Sequence, residues 1–232
     1  MSFRLVYSAA FCLLLTSFLY PDTMIVNPSI PAEEHIVYLE TIGSKQSLIS
    51  DELRIRSLDG KVWIEVREVT DNGESLYRLD PSTLMPFHIE TTTRDGMAVI
   101  KRSTDIVPTG RVEPSDHLFV ADFGALSYIL RGFPWEIGRT ARIDLPGGGR
   151  GYGLSFSVLG KETILAEGKS YECWKAELGM EGVIGAIAPK SRFWFLASPP
   201  HYLVRYEGPS GMPGSPPRTV ELRSYSAVIA AD

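Results

Sequence analysis

The sequence predicts an all-β, mainly antiparallel protein: a strongly curved sheet or incomplete β-barrel with one helix against its concave face. Three observations carry this. Apolar residues alternate with polar ones through most of the chain after residue 35, as in Leu53-Arg54-Ile55-Arg56 and Val62-Trp63-Ile64-Glu65-Val66. Asp-Gly and Asn-Gly pairs punctuate the alternating runs, the strongest short-range hairpin signal. A single stretch near the middle changes to helical period.

Alternating runs recur at 35–41, 53–57, 62–67, 75–79, 86–92, 97–103, 139–145, 152–160, 162–167, 170–178, 190–197, 201–207 and 218–227. Between them lie Asp59-Gly60, Asp71-Asn72-Gly73, Asp95-Gly96, Gly160-Lys161 and Glu167-Gly168, each read as a turn. Spacing of about 8–12 residues between strands argues for a meander of about ten to twelve strands. Over residues 115–131, Phe119, Phe123, Leu126 and Leu130 fall on one helical face, and Leu118, Ala125 and Ile129 widen it. Ser115 or Asp116 is placed to cap this helix, and Gly132 with Pro134 to stop it. Its natural partner is the hollow of the curved sheet.

The 232 residues are 44% apolar and 22% charged with a net charge of −5, ordinary globular values that exclude a disordered or collagen-like chain. An acidic balance is also the wrong footprint for nucleic acid, and no nucleic-acid partner is expected. Residues 1–21 stand apart. Arg4 precedes a 16-residue run of mostly apolar side chains that ends at Tyr20. That is the layout of a secretory signal, and shorter than the roughly 20 apolar residues of a membrane span. Export to the periplasm or envelope is expected, with membrane spanning only if the leader stays uncleaved as an anchor. Residues 22–34, with prolines 28 and 31, read as an extended spacer, and residues 35–232 as one β-rich domain.

No catalytic motif emerges. The glycine-rich run 147–153 lacks the Lys-Ser/Thr ending of a phosphate loop and fits a hairpin tip between strands ending near Leu145 and starting near Tyr152. His35, His88, His117 and His201 show no metal-ligand spacing, so neither a metal nor a cofactor is expected. Ser115, Asp116 and His117 are adjacent and cannot converge as a triad. Glu65, Glu90, Glu162 and Glu177 fall on strands, but spacing does not show which would face each other. Cys173, beside Glu172, reads as a buried hydrophobe. An enzyme would be indicated by a strongly shifted carboxylate or histidine inside a polar pocket.

Two features point to binding. Tyr171, Trp174, Phe193, Trp194, Phe195, Tyr202 and Tyr206 crowd the later strands; with Phe119 and Phe123 they either fill the core or line an apolar cavity. The cavity reading names Phe119, Phe123, Leu126, Leu130, Trp174 and Trp194 as its lining. Met180, Val183, Ile184 and Ile187 belong to an apolar, glycine-rich connection, 179–189, that either gates the rim or tucks into the core. The Gly/Pro-rich stretch 208–217 reads as a long hairpin loop.

Several segments together carry a family likeness: Leu79-Asp80-Pro81-Ser82-Thr83-Leu84-Met85-Pro86, residues 122–131, Gly160-Lys161-Glu162, residues 168–175, Tyr202-Leu203-Val204-Arg205 and residues 220–225. In order and spacing over about residues 50–227 the chain resembles the bacterial domain-of-unknown-function family 3108. The resemblance implies an exported envelope protein with a half-barrel shape similar to lipoprotein-localisation carriers. It supplies no catalytic residue. The loops at 147–153 and 208–217 are longer and richer in glycine and proline than the likeness leads one to expect. The expected function is a non-enzymatic envelope protein binding an apolar or amphipathic, lipid-like ligand in the concavity. The alternative is an assembly scaffold with a solid core and envelope-protein partners at the rim loops.

Overall fold

The computed structural model describes residues 25–95, 98–106, 117–120, 122–145, 152–181, 185, 188–211 and 215–228. The expected leader, the tip at 146–151 and Val183, Ile184 and Ile187 lie outside these residues.

Thirteen strands form one sheet: β1 (Glu33–Ile42), β2 (Lys45–Leu58), β3 (Lys61–Thr70), β4 (Gly73–Leu79), β5 (Pro86–Asp95), β6 (Ala98–Asp105), β7 (His117–Phe119), β8 (Thr140–Leu145), β9 (Tyr152–Ala166), β10 (Lys169–Met180), β11 (Ser191–Leu196), β12 (Leu203–Pro209) and β13 (Pro217–Val228). Their spatial order is β6-β5-β4-β3-β2-β1-β13-β12-β11-β10-β9-β8-β7. β1 and β13 pair in antiparallel fashion at the centre, so the sheet consists of two meanders joined there. Only β7 and β8 run parallel. The sheet stays open, with β6 and β7 at its edges. The expected all-β half-barrel is thus the architecture found.

Alternation explains the core. β1 turns Ile36 and Tyr38 inward, β2 Ile49 and Leu53, β3 Ile64 and Val66, and β4 Tyr77 and Leu79. Each fully buried apolar side chain of this set contributes about 1.5–3 kcal/mol. Turn chemistry sets the register. Asp59 and Gly60, with φ of 51° and 75°, make the two-residue turn that the sequence signals between β2 and β3. The predicted turn at Gly160-Lys161 is instead a β-bulge: β9 runs unbroken from Tyr152 to Ala166, and Leu159 is the extra residue between Gly160, opposite Lys175, and Val158, opposite Ala176.

The helix differs from expectation at its start. Helical geometry covers Phe123–Ala125 as a 3₁₀ turn, α1 (Leu126–Ile129) as one α turn, and Leu130–Gly132 as a second 3₁₀ turn. His117–Phe119, expected within the helix, is β7: its backbone pairs with Arg142–Asp144, so edge-strand hydrogen bonds replace helical ones. Asp122 opens the helical segment, its Oδ1 accepting the Gly124 N–H at 2.6 Å. The stop is as expected, since Phe133 turns extended ahead of Pro134.

A buried ion pair holds this segment to the sheet. Arg131 Nη1 and Nη2 donate to Glu34 Oε2 and Oε1 at 2.6 and 2.8 Å, and its Nε donates to the Pro200 carbonyl at 2.9 Å. The Tyr225 hydroxyl adds a 2.7 Å bond to Glu34 Oε1. Both charged side chains are almost wholly buried, 2% and 0% exposed. On the other side, residues 25–30 lack regular structure and are packed down. Ile25 and Ile30 are buried, and the Val26 N–H donates to the Gly132 carbonyl at 2.9 Å. A Cβ at position 132 would lie 2.5 Å from the Val26 oxygen, so only glycine admits this crossing.

Arg131→Met leaves the Glu34 carboxylate buried without a cation and is expected to cost about 3–5 kcal/mol in urea denaturation. Arg131→Met/Glu34→Met removes the orphaned charge and should regain more than half of that. A single-variant loss below about 1 kcal/mol is the value of a solvated pair and would contradict the burial.

Candidate functional site: a carboxylate pair in the concavity

The two halves of the hollow differ. Towards β8–β12 it is solid. Phe133, Trp135, Phe156, Phe193, Phe195 and Tyr206 pack ring against ring, with centroids 5.0 Å apart for Phe133–Phe156, Trp135–Phe195 and Phe193–Tyr206. The later aromatics therefore fill the core.

Between the helical segment and β1–β3 and β11–β13 the hollow holds a pocket of about 210 Å³. Its apolar wall includes Ile49, Leu126, Phe193, Leu203 and Val220; its polar wall includes Asp51, Glu68 and Arg218. Asp51 continues the inward row of Ile49 and Leu53 on β2, and Glu68 that of Ile64 and Val66 on β3. They are direct cross-strand partners, an arrangement that is destabilising for two like charges. The Tyr128 hydroxyl donates to Glu68 Oε2 at 3.4 Å, and its ring packs on Tyr77 with centroids 5.7 Å apart. Asp51 is 3% exposed, and its Oδ1 has no hydrogen-bond partner.

Burial, followed by the Glu68 charge, holds the Asp51 carboxyl well above its ordinary value; the Tyr128 hydrogen bond and Arg131 only partly offset this. Glu68 is also raised, first by burial, against the opposing pull of Arg218 and Tyr128. Burial and the neighbouring carboxylates likewise push the Tyr38 and Tyr128 hydroxyls far up, so both stay protonated donors. Arg218 does not neutralise the pair alone, because its Nε donates to Glu40 Oε1 at 2.7 Å. The pocket is a hydrogen-bonded acidic site in which burial raises both carboxyls.

The residues expected to line a cavity separate. Leu126 lines the pocket, whereas Leu130 is buried in the core with no exposure. Phe119 ends β7 and Phe123 opens the 3₁₀ turn. Trp174 faces the aromatic half, stacked on Trp135 at 6.4 Å with the Lys161 ammonium 4.6 Å from its ring. Trp194 needs correction. It alternates with the inward Phe193 and Phe195, and so lies on the opposite face of β11, where its Nε1 donates to Glu162 Oε1 at 2.6 Å and the Lys175 ammonium sits 5.4 Å from its ring. Met180 ends β10 opposite Leu154.

His88 is held by Glu90 at 2.8 Å and by Asp105, its partner across β5 and β6, and these bonds raise its pKa. Cys173 is fully buried, and burial followed by the Glu162 charge pushes its thiol up to about 12. Among the described residues no group of three His, Cys, Asp or Glu side chains is placed to hold a metal ion, and no helix is long and apolar enough to cross a membrane.

An open antiparallel half-barrel with a short helical segment in its hollow defines a β-barrel-like class of protein. The chain belongs to the family described as "Protein of unknown function (DUF3108)", whose model matches residues 52–223, the family its motif order resembles. Solved structures are similar to it at low identity. A β-barrel-like protein of domain of unknown function DUF1849 from Brucella abortus has a TM-score of 0.47 and 9% identity, with 85% of this chain and 98% of that chain covered. A DUF1329 family protein from Desulfovibrio piger has a TM-score of 0.35 and 9% identity, covering 88% and 89%. A LolA superfamily protein from Nitrosomonas europaea has a TM-score of 0.27 and 9% identity, covering 91% and 92%. No curated protein matches the chain.

A carboxyl that keeps its proton in the fold but ionises near the ordinary value of 3.8 once unfolded binds more protons in the folded state. Its contribution to stability is complete below about pH 4 and is lost as pH rises through the folded value. Asp51→Asn removes that loss. In denaturant titrations the variant should gain on the parent as pH climbs from 4 to 8, reaching about 1 kcal/mol, the scale of a like-charge cross-strand pair. Parallel stability curves for the two proteins would contradict a raised Asp51.

Proposed function

We propose that this is an exported, non-enzymatic envelope protein that holds a small amphipathic molecule in the concavity, between the helical segment and β1–β3 and β11–β13. The observation that carries this reading is the pocket at Asp51. Asp51, whose Oδ1 is buried without a hydrogen-bond partner, lines a space whose other walls include Ile49, Leu126, Leu203 and Val220. A buried polar atom without a partner costs about 1–3 kcal/mol unless something supplies the missing bond. A ligand with a polar head and an apolar body satisfies both walls. At about 210 Å³ the pocket falls below the roughly 300–1,000 Å³ of drug-sized sites. It therefore suits a head group with a short apolar body; a full acyl chain requires the helical segment to lift. Export rests on the leader-like residues 1–20.

The solid aromatic half favours a second reading, an envelope scaffold whose partners dock at the rim. It predicts a bare protein.

Native mass spectrometry of the protein purified from the envelope fraction separates the two. The expected result is a non-covalent adduct that vanishes on denaturation and is lost in Ser127→Trp, which puts an indole at the half-buried pocket wall. A parent protein that stays bare after incubation with envelope lipid extract would sink the binding reading in favour of the scaffold. An adduct retained by a folded Ser127→Trp would place the ligand elsewhere.

A further inference from the structure

The charge around this pocket is unbalanced in one direction. β1 contributes the Tyr38 hydroxyl and Glu40, β2 Asp51, and β3 Glu68. From β4 comes Tyr77, and from the helical segment Asp122 and Tyr128. Two cations lie nearby: Arg131 is paired with Glu34, and Arg218, on the pocket wall, donates its Nε to Glu40 and partly offsets the Glu68 charge. Among the described residues no cation is hydrogen-bonded to Asp51 or Glu68. Both carboxylates are inward-facing cross-strand partners, and Asp51 Oδ1 lies unpaired at the pocket wall. Tyr38, Phe193 and Tyr206 add aromatic rings to the lining.

An anionic ligand head would meet two carboxyls in this space. A hydroxyl would satisfy one oxygen and leave the like-charge conflict unresolved. A protonated amine resolves both, since an ammonium offers three donors and a positive charge. Aromatic side chains around it add a favourable face for a desolvated cation.

We propose that the Asp51–Glu68 pair is the recognition site for the ammonium group of an amphipathic organic amine, whose apolar body lies against Ile49, Leu126, Leu203 and Val220. A cation between the carboxylates also favours their ionised form, so it offsets the effect of burial that raises both. The assignment rests on the pocket being a ligand site, as proposed above, and adds the chemical class of the ligand.

Calorimetric titration of the purified protein with n-hexylamine, 1-hexanol and hexanoate tests it. Hexylamine is expected to bind at least tenfold more tightly than hexanol, with hexanoate weakest. Affinity for the amine should rise from pH 5 to pH 8 while that for hexanol stays level. In Asp51→Asn/Glu68→Gln the amine should fall to the affinity of the alcohol. Should that double variant fail to fold, Asp51→Asn alone and the ranking of the three probes on the parent protein still decide the matter. Hexanol binding as tightly as hexylamine overturns the amine assignment and leaves the pocket standing. If none of the three probes binds, the amine assignment and the pocket reading fall together.

Discussion

Arg131 reaches from the end of the helical segment to Glu34 on β1, at the seam where the two meanders of the sheet meet. Because Tyr225 of β13 donates to Glu34 and the Pro200 carbonyl accepts from Arg131, four parts of the chain meet in one buried cluster. A charge so deeply buried tolerates little displacement, since moving either partner exposes the full desolvation cost of the other. The helical segment has only one α turn and little helical stability of its own. Its place on the sheet is therefore set by this pair and by the strap at Val26.

That placement divides the hollow. Past Gly132 the chain enters Phe133 and Trp135, which close the aromatic half by ring packing. Before Arg131 the segment bridges β1–β4 through Tyr128 and Leu126 without filling the space beneath, and there the Asp51–Glu68 pair is exposed to a pocket rather than to packed side chains. Two carboxylates opposite each other in a buried register oppose folding, so their presence runs against stability. Local conflicts of this kind are where a sequence gives up stability for something other than folding.

Much of this was legible in the residues. Alternation and turn pairs yield the antiparallel half-barrel, and extending them yields the site. The Asp59-Gly60 turn pairs Leu58 with Lys61; seven residues out along each strand, Asp51 meets Glu68, both in phase with buried neighbours. Reading the alternation only through its apolar members hid this, because the row was followed from Leu53 towards Ile55, which is exposed, and not back to Asp51. Glu34, in phase with Ile36 and Tyr38, was hidden in the same way by the prolines of the preceding spacer. Other features depend on tertiary contacts. The parallel pairing of β7 with β8 overrides a helical period that included Phe119, and the bulge at Leu159 turns an apparent hairpin at Gly160 into a continuous strand. Trp194 is buried too, but on the opposite face of β11, because Phe193 and Phe195 already occupy the positions that face the hollow.

Asp51 and Glu68 face each other across β2 and β3 in a pocket shielded by the helical segment, where burial raises both carboxyls. Side-chain carboxyl ¹³C shifts, followed by NMR from pH 3 to pH 9 in the folded protein, address it directly. The account predicts that Asp51 titrates well above 3.8, with an inflection mirrored in the Glu68 signal. Independent titration of both carboxyls at ordinary values would show a solvated pair, and would contradict the pocket as described.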